Sequence, residues 1–264
     1  MSPGFDGRHE VTRFLVQRKD LGLGEIFLDG LSREQFLECA DQPEGGPEFV
    51  TGKAAAAPSP ELAPVVRDSD GPPPPEVDFG QLDYDMLKEV AESCERCRLS
   101  KGRTQVVFSD GNPQARLMIV GEAPGANEDR TGVPFVGQAG KLLDLLLASV
   151  DLSRRDTAYI CNVLKCRPPG NRNPMADEID LCAPYLRRQI ALVAPEVILA
   201  VGTFAAKLLT GKNRPLGKLR GSVFSYEGVP LVVTYHPAAL LRNPGWTRST
   251  WNDLQLLREV LDRN

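Results

Sequence analysis

From Tyr84 onward, short apolar runs alternate with segments whose apolar residues recur at helical spacing, and this alternation constrains the fold most. The sequence predicts strands at 117–120, 158–163, 197–201 and 231–234, and helices at 82–93, 139–150, 176–193, 203–209 and 246–261. Strands roughly 35–40 residues apart with helices between them indicate βαβ units and a parallel sheet. We therefore predict a three-layer α/β/α domain around a central, mainly parallel four-stranded sheet.

The first eighty residues have a different character. Residues 1–41 contain two short helical patterns, and residues 42–81 are rich in Pro, Gly, Ala and acidic residues. The second segment has too little apolar surface to offset its chain entropy, so we predict a disordered linker there. The predicted organisation is a helical N-terminal element at 1–41, a linker at 42–81 and the α/β domain at 82–264.

Charge divides the chain in the same way. Residues 1–85 hold 7 Lys and Arg against 17 Asp and Glu, whereas residues 86–264 hold 24 against 18. A basic domain with an acidic appendage is compatible with a polyanionic partner, although surplus charge alone more often only solvates a surface.

Composition excludes several classes of protein. No apolar run approaches the ~20 residues that span a bilayer, and five acidic residues among the first thirty argue against a signal peptide. We expect a cytoplasmic protein that does not bind membranes. Six cysteines in such a compartment suggest a metal site before a disulfide, and two histidines are too few for a multi-histidine site.

Four of the cysteines are spaced as metal ligands are. Cys94 and Cys97 form a C-x-x-C pair after a predicted helix, Cys166 follows a strand, and Cys182 lies 16 positions later in a helix. Four thiolates can hold either zinc or an iron–sulfur cluster, and the ligand types leave both open. The remaining two, Cys39 and Cys161, are expected to be inert, since free cysteine is commonly buried.

The loops that leave the carboxyl ends of the strands should form the ligand site, as in other parallel sheets. The loop that begins at Gly121 is rich in glycine but lacks the Lys-Ser/Thr of a phosphate-binding P-loop. In these loops Phe135 is either a core residue or a stacking surface for a planar ligand. Asn162 is either a turn residue or a reader of a base edge, and His236 is either structural or catalytic.

Together these motifs resemble the family 4 uracil-DNA glycosylases, the iron–sulfur type. The likeness runs in order from about Tyr84 to Asn264 and excludes residues 1–80. It is carried by Cys94-x-x-Cys97, Gly121-Glu-Ala-Pro-Gly125, Pro134-Phe-Val-Gly137, Asn162-Val-Leu-Lys-Cys-Arg-Pro-Pro-Gly-Asn-Arg172, Cys182 and His236-Pro-Ala. The resemblance implies a [4Fe–4S] cluster on Cys94, Cys97, Cys166 and Cys182. It also implies a monofunctional hydrolase that flips uracil out of single- or double-stranded DNA and leaves an abasic site.

The resemblance also implies roles for individual residues. Phe135 would stack on the uracil, Asn162 would pair with its polar edge, and the backbone of Gly121, Glu122 and Ala123 would contact the base. His236 would stabilise negative charge on a uracil oxygen as the bond breaks. Either Glu122 or Glu128 would orient the attacking water or exclude the methyl group of thymine. Ala123 stands where the best-studied related family has an aspartate.

Expected DNA contacts lie around this site. Phosphates would bind Lys165, Arg167, Arg172 and Arg242, and Leu240 or Leu241 would fill the gap left by the flipped base. The loop at 167–174 lacks the histidine with which a related branch links covalently to DNA, so we expect no covalent product. We expect the protein to act as a monomer.

Two other functions compete with this interpretation. A non-catalytic, four-cysteine module that binds nucleic acid would explain the cysteines and the charge, but not Phe135, Asn162 and His236 at the strand ends. A small-molecule hydrolase would not need basic loops. Release of free base from uracil-containing DNA discriminates among the three.

Overall fold

The computed structural model describes residues 77–263. The predicted N-terminal helical element, most of the predicted linker and Cys39 lie outside the described residues. Within them, six strands form one sheet: β1 Asp110–Gly111, β2 Leu117–Gly121, β3 Ala158–Asn162, β4 Val197–Val201, β5 Val223–Tyr226 and β6 Val229–Thr234. The strand order is β1-β3-β2-β4-β6-β5.

The four inner strands are parallel, and the two edge strands are antiparallel to their neighbours. The predicted four-stranded parallel sheet is thus confirmed, with an extra strand at each edge. The sequence pattern did not predict the two edge strands, and the reasons are physical. β1 has only two residues, and β5 alternates exposed and half-buried residues, so neither forms the apolar run of a buried strand.

Seven α-helices accompany the strands in the described part of the chain: α1 Tyr84–Glu92, α2 Ala126–Thr131, α3 Gln138–Ala148, α4 Ala176–Val193, α5 Thr203–Thr210, α6 Pro237–Arg242 and α7 Thr247–Arg263. Five correspond to the predicted helices. The other two, α2 and α6, have six residues each, which is too short for a helical repeat of apolar residues to be recognised.

Alternate residues of the inner strands point to opposite faces of the sheet, and each face is covered by helices. On one face, Met118 and Ile198 belong to a buried cluster with Leu186 of α4 and Leu209 of α5. On the other, side chains of β2, β3, β4 and β6 pack with Leu143 of α3 and with Leu254 and Leu257 of α7. This is the predicted three-layer architecture.

The packed region begins a few residues earlier than predicted. The ring of Phe79 meets that of Tyr185 on α4 edge-on, with centroids 4.9 Å apart. Asp83 caps α1 by accepting a hydrogen bond from the Met86 N–H at 2.9 Å. Residues 77–81, assigned to the linker by composition, therefore pack against the domain.

The sheet brings the predicted site residues to one edge. Gly121 at the end of β2 pairs with Asn162 at the end of β3, and Val201 of β4 pairs with Thr234 of β6. Because the four strands are parallel, the loops that follow them leave from the same edge. Among the described residues, no helix has the length and apolar character needed to cross a membrane.

Candidate active site and cysteine pocket

Gly121, Phe135 and Asn162 converge at this edge of the sheet. A Cβ atom at Gly121 would lie 2.3 Å from Asn162 Oδ1 and 2.5 Å from Phe135 Cζ, which real atoms do not allow. Glycine at this position therefore lets the amide and the aromatic ring approach the backbone of β2. These three predicted residues are brought together by the structure.

The backbone of Phe135 is strained and firmly held. Its φ of 55° lies in the left-handed region, which is uncommon for residues other than glycine. Arg154 donates to the carbonyl oxygens of Pro134 at 3.0 Å and of Phe135 at 2.7 Å. A Cβ atom at Gly140 would lie 1.7 Å from the Phe135 carbonyl oxygen, so α3 packs directly on this turn. The surroundings impose the ring's position, as strained residues require.

Glu128 stabilises the same loop by accepting hydrogen bonds from backbone N–H groups. One carboxylate oxygen accepts from the N–H groups of Val136 and Gly137, both at 2.9 Å. The other accepts from the N–H of Gly125 at 3.1 Å, at the start of α2. Since both oxygens bind backbone amides, Glu128 shapes the loop that carries Phe135.

Glu122 is in a different electrostatic situation. Its carbonyl oxygen accepts from the Leu164 N–H at 3.0 Å, which fixes its backbone beside the chain that follows β3. Its side chain is half-buried, and burial raises the pKa of the carboxyl group to about 7. Glu122 can thus change its protonation state near neutral pH.

Asn162 has an unsatisfied polar atom. The residue is 2% exposed, and its Oδ1 is buried without a hydrogen-bond partner among the described residues. A buried amide group without a hydrogen-bond partner destabilises the folded chain relative to one that is paired. An unpaired amide oxygen beside an aromatic ring suits a planar ligand with hydrogen-bonding groups on its edge.

His236 lies beside Phe135 and caps α6. The two rings are stacked, with centroids 5.5 Å apart and planes at 27°. His236 Nδ1 accepts from the Ala238 N–H at 3.2 Å, so the neutral ring carries its proton on Nε2. Burial, aided by the positive charge of Arg242, lowers the pKa of His236 to about 4. The imidazole is therefore neutral at physiological pH, and among residues 77–263 its Nε2–H has no acceptor and is available to donate.

The structure corrects the expectation for Lys165. This residue is only 2% exposed. Its Nζ donates to the Asn162 carbonyl oxygen at 2.7 Å and to Gln189 Oε1 at 2.5 Å. Lys165 therefore supports the strand end that carries Asn162, and the prediction that it contacts phosphate is wrong.

The other expected DNA contacts differ in their availability. Arg172 forms a two-pronged ion pair with the buried Glu178, at 2.9 and 2.6 Å, and so anchors its loop. Arg167 is half-exposed and bonds Asn171 Oδ1 at 2.7 Å. Arg242 is exposed.

The two leucines of α6 point in different directions. Leu240 is 3% exposed and belongs to the core, so the prediction that it could enter DNA is wrong. Leu241 is 50% exposed and remains available as the wedge.

The four predicted metal-ligating cysteines line one small pocket between α1, the loop after β3, and α4. They are all free thiols. Backbone amides approach two of the sulfurs: Lys165 N lies 3.4 Å from Cys182 Sγ, and Arg96 N lies 3.5 Å from Cys94 Sγ.

Arg103 adds positive charge to this pocket. Its guanidinium donates to the Cys94 carbonyl oxygen at 2.6 Å and lies 3.5 Å from Cys166 Sγ. Burial raises the pKa of Cys166 to about 11, with Arg103 opposing the rise, and the pKa of Cys182 to about 12. Within residues 77–263, no group of three or more His, Cys, Asp or Glu side chains is arranged so that it could hold a metal ion. Cys161 is fully buried in β3, as predicted.

Sequence reasoning missed Arg154 and Gln189. Arg154 reaches Phe135 from 19 positions away, and Gln189 reaches Lys165 from 24 positions away. No local pattern marks either residue, because each acts across the packing of two elements.

Comparison with known proteins gives consistent matches. Residues 108–255 match the profile of the Uracil DNA glycosylase superfamily. The chain is 43% identical over 182 residues to a Type-4 uracil-DNA glycosylase of Sulfurisphaera tokodaii, covering 66% of this chain and 83% of the relative. It is 41% identical over 184 residues to a protein of the same name from Archaeoglobus fulgidus, covering 67% and 92%. A third, from Thermotoga maritima, is 44% identical over 161 residues, covering 60% and 83%.

Proposed function

The chain belongs to the uracil-DNA glycosylase superfamily, and we propose that it is a type-4 uracil-DNA glycosylase that hydrolyses the N-glycosidic bond of uracil in DNA. The products are free uracil and an abasic site, the starting point of base excision repair. The observation that carries this proposal is the buried amide oxygen of Asn162, unpaired among the described residues and beside the ring of Phe135, with His236 stacked on that ring.

Uracil must leave the base stack before its bond can be cut. In the proposed complex the flipped base stacks on Phe135 and pairs with Asn162, whose amide offers both a donor and an acceptor. The backbone from Gly121 to Ala123 borders this space. Pairing with uracil would satisfy the buried Asn162 Oδ1, which is otherwise without a partner among the described residues.

As the bond between the base and the sugar breaks, its electron pair leaves with uracil, and negative charge grows on the uracil oxygens. The neutral ring of His236 would donate its Nε2–H to that charge. The hydrogen bond from Ala238 to Nδ1 supports this role, since it fixes the tautomer in which Nε2 is the donor. His236 keeps its proton throughout this step.

Water supplies the oxygen that replaces the base on the sugar, and the proton that it releases ends on the departing uracil anion, which gives free uracil. We assign its orientation to Glu122, because the carboxylate of Glu128 is fully engaged by three backbone amides. Ala123 has no group that could act on water.

We assign a [4Fe–4S] cluster to Cys94, Cys97, Cys166 and Cys182. The support is that the four thiols share one pocket, with backbone amides and Arg103 close to the sulfurs. A polynuclear cluster with thiolate ligands suits such a set of donors. Bound there, it would cross-link the end of α1 to the segment that follows Asn162 and thereby stabilise the DNA-binding edge.

The proposed contacts with DNA are Arg167, Arg242 and the exposed Leu241. The arginines would neutralise phosphates, and Leu241 would occupy the gap left in the stack. Binding of the arginines to phosphates releases the counterions of the DNA. Affinity should therefore fall as ionic strength rises.

The substitution Asn162→Asp tests whether Asn162 pairs with uracil. A carboxylate cannot donate to a uracil oxygen, so the variant should release uracil more slowly in single-turnover assays on single- and double-stranded DNA. Gln114→Glu, the same change from amide to carboxylate at an exposed position before β2, should behave as wild type. An Asn162→Asp protein that melts normally and releases uracil at the wild-type rate would overturn the assignment.

A further inference from the structure

A second group of aromatic side chains includes Tyr235, the residue that precedes His236. Tyr235 and Trp246 are stacked, with ring centroids 4.5 Å apart and planes at 17°. On the Tyr235 ring lies the guanidinium of Arg220, with Cζ 4.2 Å from the ring centroid. The three side chains form a column that we call the Trp246 stack.

The base of the Trp246 stack is firmly anchored. Arg220 Nε donates to Asp253 Oδ2 at 2.6 Å, and the same oxygen accepts from Thr234 Oγ1 at 2.6 Å. Arg220 also donates to the Ser249 carbonyl oxygen. Asp253 is 1% exposed, so the column rests on a buried carboxylate whose Oδ2 accepts two hydrogen bonds. Such anchoring holds the outer ring in a set orientation.

The outer end of the stack is open to solvent. Trp246 is 40% exposed, although its ring is large and apolar. Leu241, the candidate wedge, is 50% exposed and lies five positions earlier on the same segment. Two exposed apolar side chains on the segment that follows His236 indicate a binding surface.

Charge identifies the kind of partner. From residue 211 to residue 252 there are six Lys and Arg and a single acidic residue, Glu227. Five of the basic residues are exposed: Lys212, Arg214, Lys218, Arg242 and Arg248. The loop that holds Lys218 is next to the stack, since a Cβ atom at Gly217 would lie 4.0 Å from Tyr235 Oη. An open aromatic face among cations fits a nucleobase attached to its phosphates.

We propose that Trp246 is a second stacking surface for DNA, which binds an unpaired base of the substrate strand next to the flipped uracil. This inference rests on the proposed function, in which Phe135 receives the uracil itself. It implies that single-stranded substrate binds better than duplex, because a base already paired in a duplex is less free to stack on the indole. Such stacking changes affinity by roughly 5- to 150-fold for each base.

Tryptophan fluorescence tests the proposal without any need for uracil. The chain has two tryptophans, and Trp251 packs partly buried against the core. In the full-length Trp251→Phe protein, Trp246 is the only fluorophore of its kind. Addition of an oligothymidylate should quench its emission, whereas the Trp246→Phe protein, which retains Trp251, should show little quenching.

Affinity provides the second measurement. Trp246→Ala should weaken binding of a labelled oligothymidylate by roughly 5- to 150-fold, and Trp246→Phe should retain most of it. Met86→Ala removes a similarly exposed apolar side chain from α1 and should change nothing. Oligonucleotide binding without quenching of Trp246, or wild-type affinity in Trp246→Ala, would overturn the proposal. Quenching without release of uracil from DNA would instead leave this site standing and contradict the proposed function.

Discussion

The aromatic ring of Phe135 lies against the imidazole of His236, with centroids 5.5 Å apart and planes at 27°. The first residue comes from the loop after β2 and the second follows β6, and β4 separates these two strands in the sheet. The residue assigned to hold the base and the residue assigned to stabilise charge therefore touch. Substitutions at the two positions should not be additive, because each changes the surroundings of the other.

Loss of the imidazole should affect the chemical step. His236→Ala should lower the single-turnover rate of uracil release by roughly 10²–10³, the scale for losing one preorganised donor to a developing anion. Affinity for an abasic product should barely change, since the contact is made with the departing base. A variant with a much lower melting temperature that still releases uracil normally when cold would show that His236 only packs.

The same residue should contribute to acid sensitivity. The pKa of His236 is lowered to about 4 in the folded chain, from an ordinary value of 6.5. Between these values the unfolded chain binds the proton and the folded chain does not, so stability contributed by this group is lost as pH falls from about 6.5 to about 4. As pH falls over this range, the melting temperature should therefore decrease less in His236→Ala than in wild type.

Glu122 should set the pH dependence near neutrality. With its pKa raised to about 7, the carboxylate that orients water forms as pH rises, so the single-turnover rate should increase between pH 6 and 8. Glu122→Gln should be slower and flat across this range, while the exposed Glu227→Gln should keep the wild-type profile. The assignment would be contradicted if the wild-type rate did not change between pH 6 and 8 and Glu122→Gln were fully active.

Stability should move in the opposite direction with pH. The folded chain retains the Glu122 proton from about pH 4.5 to about pH 7, where the unfolded chain has lost it. Stability from this group is therefore present below pH 4.5 and lost as pH rises through 7. Above pH 7, Glu122→Gln should melt at a higher temperature than wild type.

A methyl group at Gly121 should block the base pocket. The added Cβ would fall between Asn162 Oδ1 and the Phe135 ring, so Gly121→Ala should weaken binding of uracil-containing DNA and slow release. Gly102→Ala is the matched control, because nothing lies within 4 Å of a Cβ there. Equal kinetics in the two variants would mean that the base binds elsewhere.

The cysteine pocket can be tested by metal content. Anaerobically purified protein should be brown, absorb broadly near ~400 nm and contain iron and sulfide, as thiolate-ligated clusters do. Cys182→Ser should lose this absorption, whereas Cys161→Ala, in the core of β3, should keep it. A colourless wild-type protein with one zinc and no iron would contradict the cluster.

Much of the fold could be predicted because buried strands and long helices leave regular apolar patterns. The four inner strands and five long helices have such patterns, whereas β1, β5, α2 and α6 are too short or too exposed to show one. The place of Asn162 and His236 was predictable as well, since Asn162 ends β3 and His236 lies two residues after the end of β6, at the carboxyl edge of the parallel core.

The errors arose where tertiary packing decides burial. Lys165 resembles an exposed loop residue in the sequence, but Gln189 from α4 meets its ammonium group and removes it from solvent. Leu240 and Leu241 are neighbours, and only the formation of α6 turns one inward and the other outward. Arg154 was missed for the same reason, because its contact with Phe135 depends on how α3 packs.

The most direct measurement is the release of free base from DNA by the purified full-length chain. Single- and double-stranded oligonucleotides with one uracil are compared with the same sequences carrying thymine. We predict that uracil is released from both forms, that an abasic site is left, and that thymine is untouched. Folded, DNA-binding protein that releases no uracil from either form would contradict it.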